Sequence, residues 1–241
     1  MITSKQNALV KEIRSLADKK FRDRLNLFVI EGVKPVKEAI LKGHPIYAVV
    51  GTESALSAIL PCDARIETVS DEIFKYISEE VTPQGVLAVA YKKENAIVSP
   101  KGKAVFLDGV ADPSNVGAIL RTAAAAGYND VYMTCDCADP YSQKAVRASM
   151  TGVLRVNVMR AERESLLSVI DCPIIVADMN GKDVFEFDKL DRFCLVIGNE
   201  GKGVSNVLRE RATLTVSIPM QKGVESLNAS VSAGILMYAL K

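Results

Sequence analysis

Three loops of this 241-residue chain hold residue types at spacings that could do chemistry. The first runs from Asp108 through Asp112-Pro113-Ser114-Asn115-Val116-Gly117 to Arg121, after an apolar run and into a helical pattern. Asp112 followed by Pro113 reads as an N-cap with proline at the first helical position. Gly117 and Arg121 are one turn apart and share a face, so the missing side chain leaves room beside the guanidinium. Arg121 could grip a phosphate with a bidentate fork. Equally, it could be a surface arginine on a helix whose small residues, Ala123 to Ala126, serve packing. The second loop is Ile197-Gly198-Asn199-Glu200-Gly201-Lys202-Gly203-Val204-Ser205, whose glycines let backbone approach a ligand closely. It is neither a dinucleotide-binding G-x-G-x-x-G nor a P-loop, because Lys202 is followed by glycine, which disfavours a dehydrogenase or an ATPase. A plain turn closing on a helix cap would have the same composition. The third loop, Ser217-Ile218-Pro219-Met220 to Ser226-Leu227-Asn228, precedes a helix rich in small residues, where Ser226 and Asn228 fit a cap as well as a site.

These loops need elements to position them. From about residue 104 onward, strand candidates at Ala104 to Leu107, Asp130 to Thr134, Val153 to Val158, Pro173 to Ala177, Phe193 to Ile197 and Thr213 to Ile218 alternate with helix candidates. The helices are expected at Ser114 to Ala126, Ser142 to Ser149, Ala161 to Ile170, Val204 to Arg211 and Leu227 to Leu240. That alternation predicts a parallel sheet covered on both faces, with ligands at the carboxyl ends of its strands. A smaller α/β module precedes it. It comprises one amphipathic helix over residues 5 to 22, an apolar run at Leu27 to Ile30, a helix at Val36 to Leu41 and a strand at Ile46 to Val50. Helices at Ser54 to Leu60 and Asp71 to Ser78 and a strand at Gly85 to Tyr91 complete it. The polar stretch between Lys92 and Lys103, with Pro100-Lys101-Gly102, is the best boundary. The expected domains are therefore residues 1–95 and 104–241, with residues 96–103 as a linker.

Composition narrows the function. With 49% hydrophobic and 24% charged residues, the chain can bury a core. Its apolar runs are short, and the N-terminus lacks the apolar stretch of a secretory signal, so a cytoplasmic protein without membrane spans is expected. Cys62, Cys135, Cys137, Cys172 and Cys194 fit no disulfide framework or zinc spacing, and no metal is predicted. Net charge is only +1, but residues 1 to 24 carry seven lysines and arginines against three acidic residues. Such a helix is either a solvated face or an arm laid along phosphates. The single histidine, His44, sits between Gly43 and Pro45 in an apparent exposed turn outside the second half, so histidine-based catalysis lacks a partner.

Taken together and in this order, Asn115-Val116-Gly117-Ala118-Ile119-Leu120-Arg121-Thr122-Ala123, Gly198 to Gly203 and Ser226-Leu227-Asn228-Ala229-Ser230 resemble the three motifs of the SpoU, or TrmH-like, branch of the SPOUT RNA methyltransferases. The resemblance runs from about Ala104 to the last residue. Phe28-Val29-Ile30-Glu31-Gly32 and the helix after it are similar to that family's substrate-binding domain, whose fold is like a small ribosomal protein. The resemblance implies an α/β protein: a parallel-sheet SPOUT domain with a deep trefoil knot, preceded by a ribosomal-protein-like RNA-binding domain. It also implies transfer of a methyl group from S-adenosylmethionine to a ribose 2′-hydroxyl, most consistent with large-subunit (23S-type) ribosomal RNA. Transfer RNA, a base-directed methyltransferase and a non-catalytic RNA-binding assembly factor are the alternatives. Gly198, Ile218 and Leu227, with Asn199 and Met220 beside them, are implied cofactor contacts. Arg121, Asn115, Glu200, Ser226 and Asn228 are the implied catalytic residues. A guanidinium pKa above about 12 argues against Arg121 as proton acceptor and for a positioning and electrostatic role. Lys144 and Arg147 are candidate RNA contacts. A homodimer is implied, formed near the small-residue helix Ala229 to Leu236, with the active site close to that interface. The stretch Ser149-Met150-Thr151-Gly152 departs from the family, where smaller residues are common.

Overall fold

In the computed structural model, residues 1–59, 63–187, 190–223 and 225–241 are described. Leu60, Cys62 and Val224 lie outside them. The first half of the chain contains α1 (Ala8–Ser15), α2 (Lys19–Leu25), β1 (Leu27–Glu31), α3 (Val33–Leu41), β2 (Ile46–Gly51), α4 (Glu53–Leu56), β3 (Arg65–Thr68), α5 (Asp71–Ile77) and β4 (Val86–Tyr91). Their sheet has the order β1-β4-β2-β3, antiparallel except between β2 and β3. The second half contains β5 (Lys103–Asp108), α6 (Pro113–Ala126), β6 (Asp130–Thr134), α7 (Gln143–Ser149), β7 (Asn157–Ala161), α8 (Arg163–Val169) and β8 (Ile174–Asp183). It continues with β9 (Phe193–Gly198), α9 (Asn206–Glu210), β10 (Leu214–Ser217) and α10 (Ala229–Ala239). Its six strands, in the order β10-β8-β9-β5-β6-β7, are all parallel. Their carboxyl ends therefore share one edge, where Asp108, Thr134 and Gly198 lie.

Alternation along the strands divides the core. Phe28 and Ile30 of β1 join Val105 and Leu107 of β5 in a cluster that runs through both sheets, whereas Leu27 and Val29 face the α1 and α5 side. Ala104 and Phe106 face the opposite side of the six-stranded sheet, against α8 and α9. Among the described residues, no helix is long and apolar enough to cross a membrane.

Several expected elements differ. The single helix over residues 5 to 22 is two, because Asp18 accepts from the Lys20 amide at 2.9 Å and caps a new helix. Arg22 fills the break, donating to the carbonyls of Leu16 at 2.7 Å and Ala17 at 2.8 Å. The expected strand Val153 to Val158 is a 3₁₀ turn, Gly152–Leu154, followed by β7. Its apolar residues are buried, but a Cβ on Gly152 would lie 2.7 Å from Arg121 Cα, so the chain turns tightly beneath α6. Ala161 consequently ends β7 instead of starting a helix. Strand β3 escapes the pattern because only four residues pair and their side chains are half-exposed or exposed. His44 is buried, not exposed: its Nε2 lies 2.8 Å from the Tyr91 carbonyl oxygen and its ring meets Phe28 edge-on at 6.0 Å.

Two sets of contacts stand out among those that hold the halves together. Residues 93–100 are pinned to the second half, with Asn95 Nδ2 donating to the Val158 carbonyl at 3.0 Å and Tyr132 Oη donating to that of Val98 at 2.7 Å. Arg22 also donates through Nε and Nη2 to one Asp139 oxygen, at 2.9 and 2.7 Å, in an ion pair whose side chains are only 5% and 8% exposed. Tyr141 packs on Phe28 next to it, ring centres 4.9 Å apart. Removing one member of such a buried pair strands the other charge, at a cost of about 3–5 kcal/mol. Arg22→Met is therefore expected to lower unfolding free energy by about that amount, measured by urea denaturation. A loss below about 1 kcal/mol, the value of an exposed pair, would contradict this assignment.

Candidate active site

Asp112 caps α6 by accepting from the amides of Ser114 at 2.7 Å and Asn115 at 3.0 Å, which places Asn115 in the first turn with its side chain turned inward. Its amide bridges the other two loops. Asn115 Nδ2 donates to Glu200 Oε1 at 2.8 Å, and Asn115 Oδ1 accepts from Asn228 Nδ2 at 3.0 Å. Glu200 also accepts from the backbone amides of Ala111 at 3.1 Å and Asp112 at 3.3 Å. Asn228 in turn caps α10, its Oδ1 accepting from Ser230 N at 2.9 Å and Val231 N at 3.3 Å. One side-chain amide thus joins three loops that the sequence keeps far apart.

The glycine loop is folded by its own backbone. Asn199 and Gly203 exchange two hydrogen bonds at 3.1 and 2.9 Å, and Asn199 Oδ1 accepts from the amides of Gly201 and Lys202. Asn199 Nδ2 donates to the Gly109 carbonyl at 2.7 Å. The Asn199 side chain is therefore spent on the loop. A Cβ at position 198 would sit 2.4 Å from Gly203 C and Val204 N, so only glycine permits this close return. Beneath it, the buried Asp108 carboxylate accepts from Ser205 N and Arg163 Nε, both at 2.7 Å.

Between these loops lies a cleft of about 360 Å³. Gly198, Asn199, Ile218, Met220 and Leu227 all line it, as do Glu200, Ser226 and Asn228. Ile197, Val204 and Leu236 give it apolar walls. Asp178 and Met179, in β8, line it too and were missed; β8 was expected to end at Ala177, yet the loop-side end of a parallel strand was the place to look. Arg121 does not line the cleft. It is exposed on α6, six residues or about one and two-thirds turns beyond Asn115, and so points elsewhere. Gly117 does not make room for its guanidinium either: a Cβ there would lie 2.3 Å from the Ala145 carbonyl oxygen, so this glycine admits the backbone of α7.

Burial acts to raise the Glu200 carboxyl, but hydrogen bonds from the Asn115 side chain and the Ala111 and Asp112 amides outweigh it and hold the group below its ordinary value. Glu200 is thus an ionised acceptor and a weak base. At Asp112, the Lys144 ammonium lowers the carboxyl, ahead of an opposing effect of burial. Cys137 is buried and donates to the Leu107 carbonyl, while Cys135 is exposed. Among the described residues no group of three or more His, Cys, Asp or Glu could hold a metal ion.

Residues 102–238 match the SpoU rRNA Methylase family, and residues 7–88 match the MRM3-like substrate binding domain. The chain belongs to the SpoU family. This SpoU methylase is 31% identical over 245 residues to the 23S rRNA (guanosine(2553)-2′-O)-methyltransferase RlmP of Bacillus subtilis, covering 100% of this chain and 98% of that protein. Its fold is similar to the AdoMet-bound rRNA methyltransferase from Sinorhizobium meliloti, with TM-score 0.89, 29% identity, and 99% and 96% of the two chains covered. It is also similar to the SpoU methyltransferase AviRb from Streptomyces viridochromogenes in complex with AdoMet, with TM-score 0.86, 25% identity and coverage of 98% and 97%.

Two outcomes are expected for this SpoU methylase. Gly198→Ala should open the glycine loop and weaken cofactor binding by at least tenfold in calorimetry while the far-ultraviolet dichroism stays native; unchanged affinity would contradict the close-return argument. Because the Glu200 carboxyl is held low in the folded protein, its stabilisation is present above the ordinary carboxylate pKa and is lost as pH falls through the depressed value. Unfolding free energy should therefore drop more steeply on acidification in the wild type than in Glu200→Gln, and parallel pH curves would refute this.

Proposed function

We propose that this SpoU methylase transfers a methyl group from S-adenosylmethionine to a ribose 2′-hydroxyl of large-subunit ribosomal RNA. The observation that carries this reading is the convergence of three loops on one cleft through Asn115. The cleft is within the size range of small-molecule sites, and its apolar walls with a few polar groups suit an adenosine and an aliphatic tail. Bound there, the cofactor supplies a methyl group activated by its sulfonium. Transfer would join the ribose oxygen to the methyl carbon, leave the electron pair of the broken carbon–sulfur bond on a now neutral sulfur, and pass the hydroxyl proton to solvent water. Gly198, Ile218 and Leu227, with Asn199 and Met220, form the cofactor surface, and Asn199 acts by shaping its loop. Asn115, Glu200, Ser226 and Asn228 hold the cleft's geometry. The likeness to RlmP favours ribosomal over transfer RNA. Such an enzyme works where that RNA is, in the cytoplasm.

The chain is organised for this task as an RNA-binding unit, residues 1–95, and a methyltransferase unit, residues 104–241, joined by residues 96–103. In support, the four-stranded sheet ends at Tyr91 and the six-stranded sheet begins at Lys103. We extend this to a trefoil knot in the methyltransferase unit, supported by membership of the SpoU family and by a chain that, after β10 at the sheet edge, comes back to the cleft beside Gly198 before entering α10, which packs on α6 and β9.

The enzyme is a homodimer that completes its site across the interface. Arg121 is exposed and absent from its own cleft, while α10, seated on α6 where a Cβ on Gly234 would lie 3.8 Å from Thr122 Cγ2, leaves Val231 and Tyr238 about half exposed. Joining two copies through this face covers those residues and brings each Arg121 toward the partner's substrate, where the guanidinium holds phosphate and stabilises charge developing on oxygen. Arg121→Ala should lower turnover by about 10² to 10³ without changing cofactor affinity. Mixing it with Gly198→Ala is expected to restore about one quarter of wild-type activity, because about half the dimers of a random mixture are mixed and each has one intact site. No recovery would place Arg121 in its own subunit's site, and a wild-type rate for Arg121→Ala would remove it from the reaction.

A further inference from the structure

The junction of the two halves contains cations that the cleft does not use. Lys144 and Arg147 lie one turn apart on α7 and share a face. Their side chains are 54% and 49% exposed, and each is held by one carboxylate from a different element: Lys144 by Asp112 at 3.0 Å and Arg147 by Glu80 at 2.6 Å. Asp112 is the residue whose amide contacts Glu200 at the rim of the cleft, and Glu80 lies in the loop between α5 and β4 of the first half. The α7 edge therefore leads from the cleft to the substrate-binding half. At its far end, Glu31, Pro35, Glu80, Arg147, Met150 and Leu154 line a depression of about 60 Å³, far smaller than the cleft of about 360 Å³ and too small to enclose a nucleoside. Beside its charged residues stand exposed apolar ones: Met150, in the lining, is 47% accessible, and Val81, next to Glu80 in the chain, is 98% accessible. Met150 and Thr151 hold consecutive positive φ angles of 45° and 69°, a strained backbone that turns the Met150 side chain outward.

We propose that this edge is a second RNA contact surface, over which the strand flanking the target nucleotide passes, with Lys144 and Arg147 on successive phosphates and an unpaired base against Met150. The assignment rests on RNA being the substrate. Asp112 and Glu80 occupy the cations until phosphates replace them. The buried Arg22–Asp139 pair and the Phe28–Tyr141 contact, whose Asp139 and Tyr141 lie eight and six residues before Arg147 along the chain, fix the two halves so that the path has one length. Thioether sulfur also makes favourable contacts with aromatic rings, which a base provides.

The test uses the full chain and a transcript of the large-subunit rRNA segment that carries the nucleotide equivalent to guanosine 2553, with binding followed by anisotropy at several salt concentrations. Each phosphate contact to a single strand contributes about 0.7 to the salt slope. Arg147→Ala and Lys144→Ala should each lower the slope by about that amount and weaken binding about fourfold at 0.15 M salt, with cofactor affinity unchanged. Glu80→Gln breaks the same ion pair while leaving the arginine free, so it should bind RNA as tightly as wild type or more tightly. If Glu80→Gln weakens binding as much as Arg147→Ala, Arg147 is only an interdomain latch and the proposal is wrong. It is equally wrong if neither cation variant changes the slope. Should Arg147→Ala lose cofactor binding, Arg147→Gln and Lys144→Ala decide the matter by the same slope. Failure of the wild type to methylate any ribose would defeat the enzymatic reading, yet these binding slopes would still decide the surface.

Discussion

The site depends on one side-chain amide having both a donor and an acceptor. Asn115 gives its NH₂ to Glu200 and its oxygen to Asn228, and each partner is already tied to backbone: Glu200 to the amides of Ala111 and Asp112, Asn228 to the first turn of α10. No carboxylate or ammonium could do both jobs, because each offers only one kind of group when charged. Partly buried hydrogen bonds of this kind matter less for their net stabilisation than for the penalty of leaving a partner unsatisfied. Losing the Asn115 amide would therefore leave Glu200 and Asn228 each short of a partner and loosen both loops, although Glu200 keeps the Ala111 and Asp112 amides and Asn199 keeps the Gly109 carbonyl.

Around that point the fold supplies two backbone constraints. The parallel sheet puts the ends of β5 and β9 side by side, with Asp108 paired in register to Gly198. Glycine at 198 then lets the loop return onto Val204, and the buried Asp108 carboxylate holds Ser205 from below. On the other side of α6, Gly117 and Gly152 admit backbone where any side chain would collide, so α6 is wedged between α7 and the turn at Gly152. Asn115 and Arg121 ride on one rigid helix, facing different ways. The same helix thus serves a cleft in its own chain and presents a guanidinium outward.

Much of this was legible in the residue pattern. Parallel strands with apolar cores, such as Phe193 to Ile197, announce themselves by composition, and the site residues of the second and third loops line one cleft, with Asn115 bonded to two of them from behind, because all three loops follow strand ends on the same edge. What was not legible depended on partners distant in sequence. Nothing near Arg22 signals that it will be buried against Asp139, 117 residues away, or that Asp18 will restart the helix so that it can be. His44 looked like a turn residue because its neighbours are Gly43 and Pro45; a backbone carbonyl and an aromatic edge made burial acceptable. Gly117 was read as space for its own helix neighbour, whereas the space belongs to another helix. Local spacing shows which residues share a face, not what that face meets.

The central claim is that the Asn115 amide couples the glycine loop and the loop before α10. Hydrogen exchange by mass spectrometry, comparing wild type with Asn115→Ala in the absence of ligand, tests it directly. The coupling predicts that segments 198–205 and 226–232 lose protection together while β5, β6 and β9 keep theirs. Loss of protection confined to the first turn of α6, with both distant loops unchanged, would contradict it.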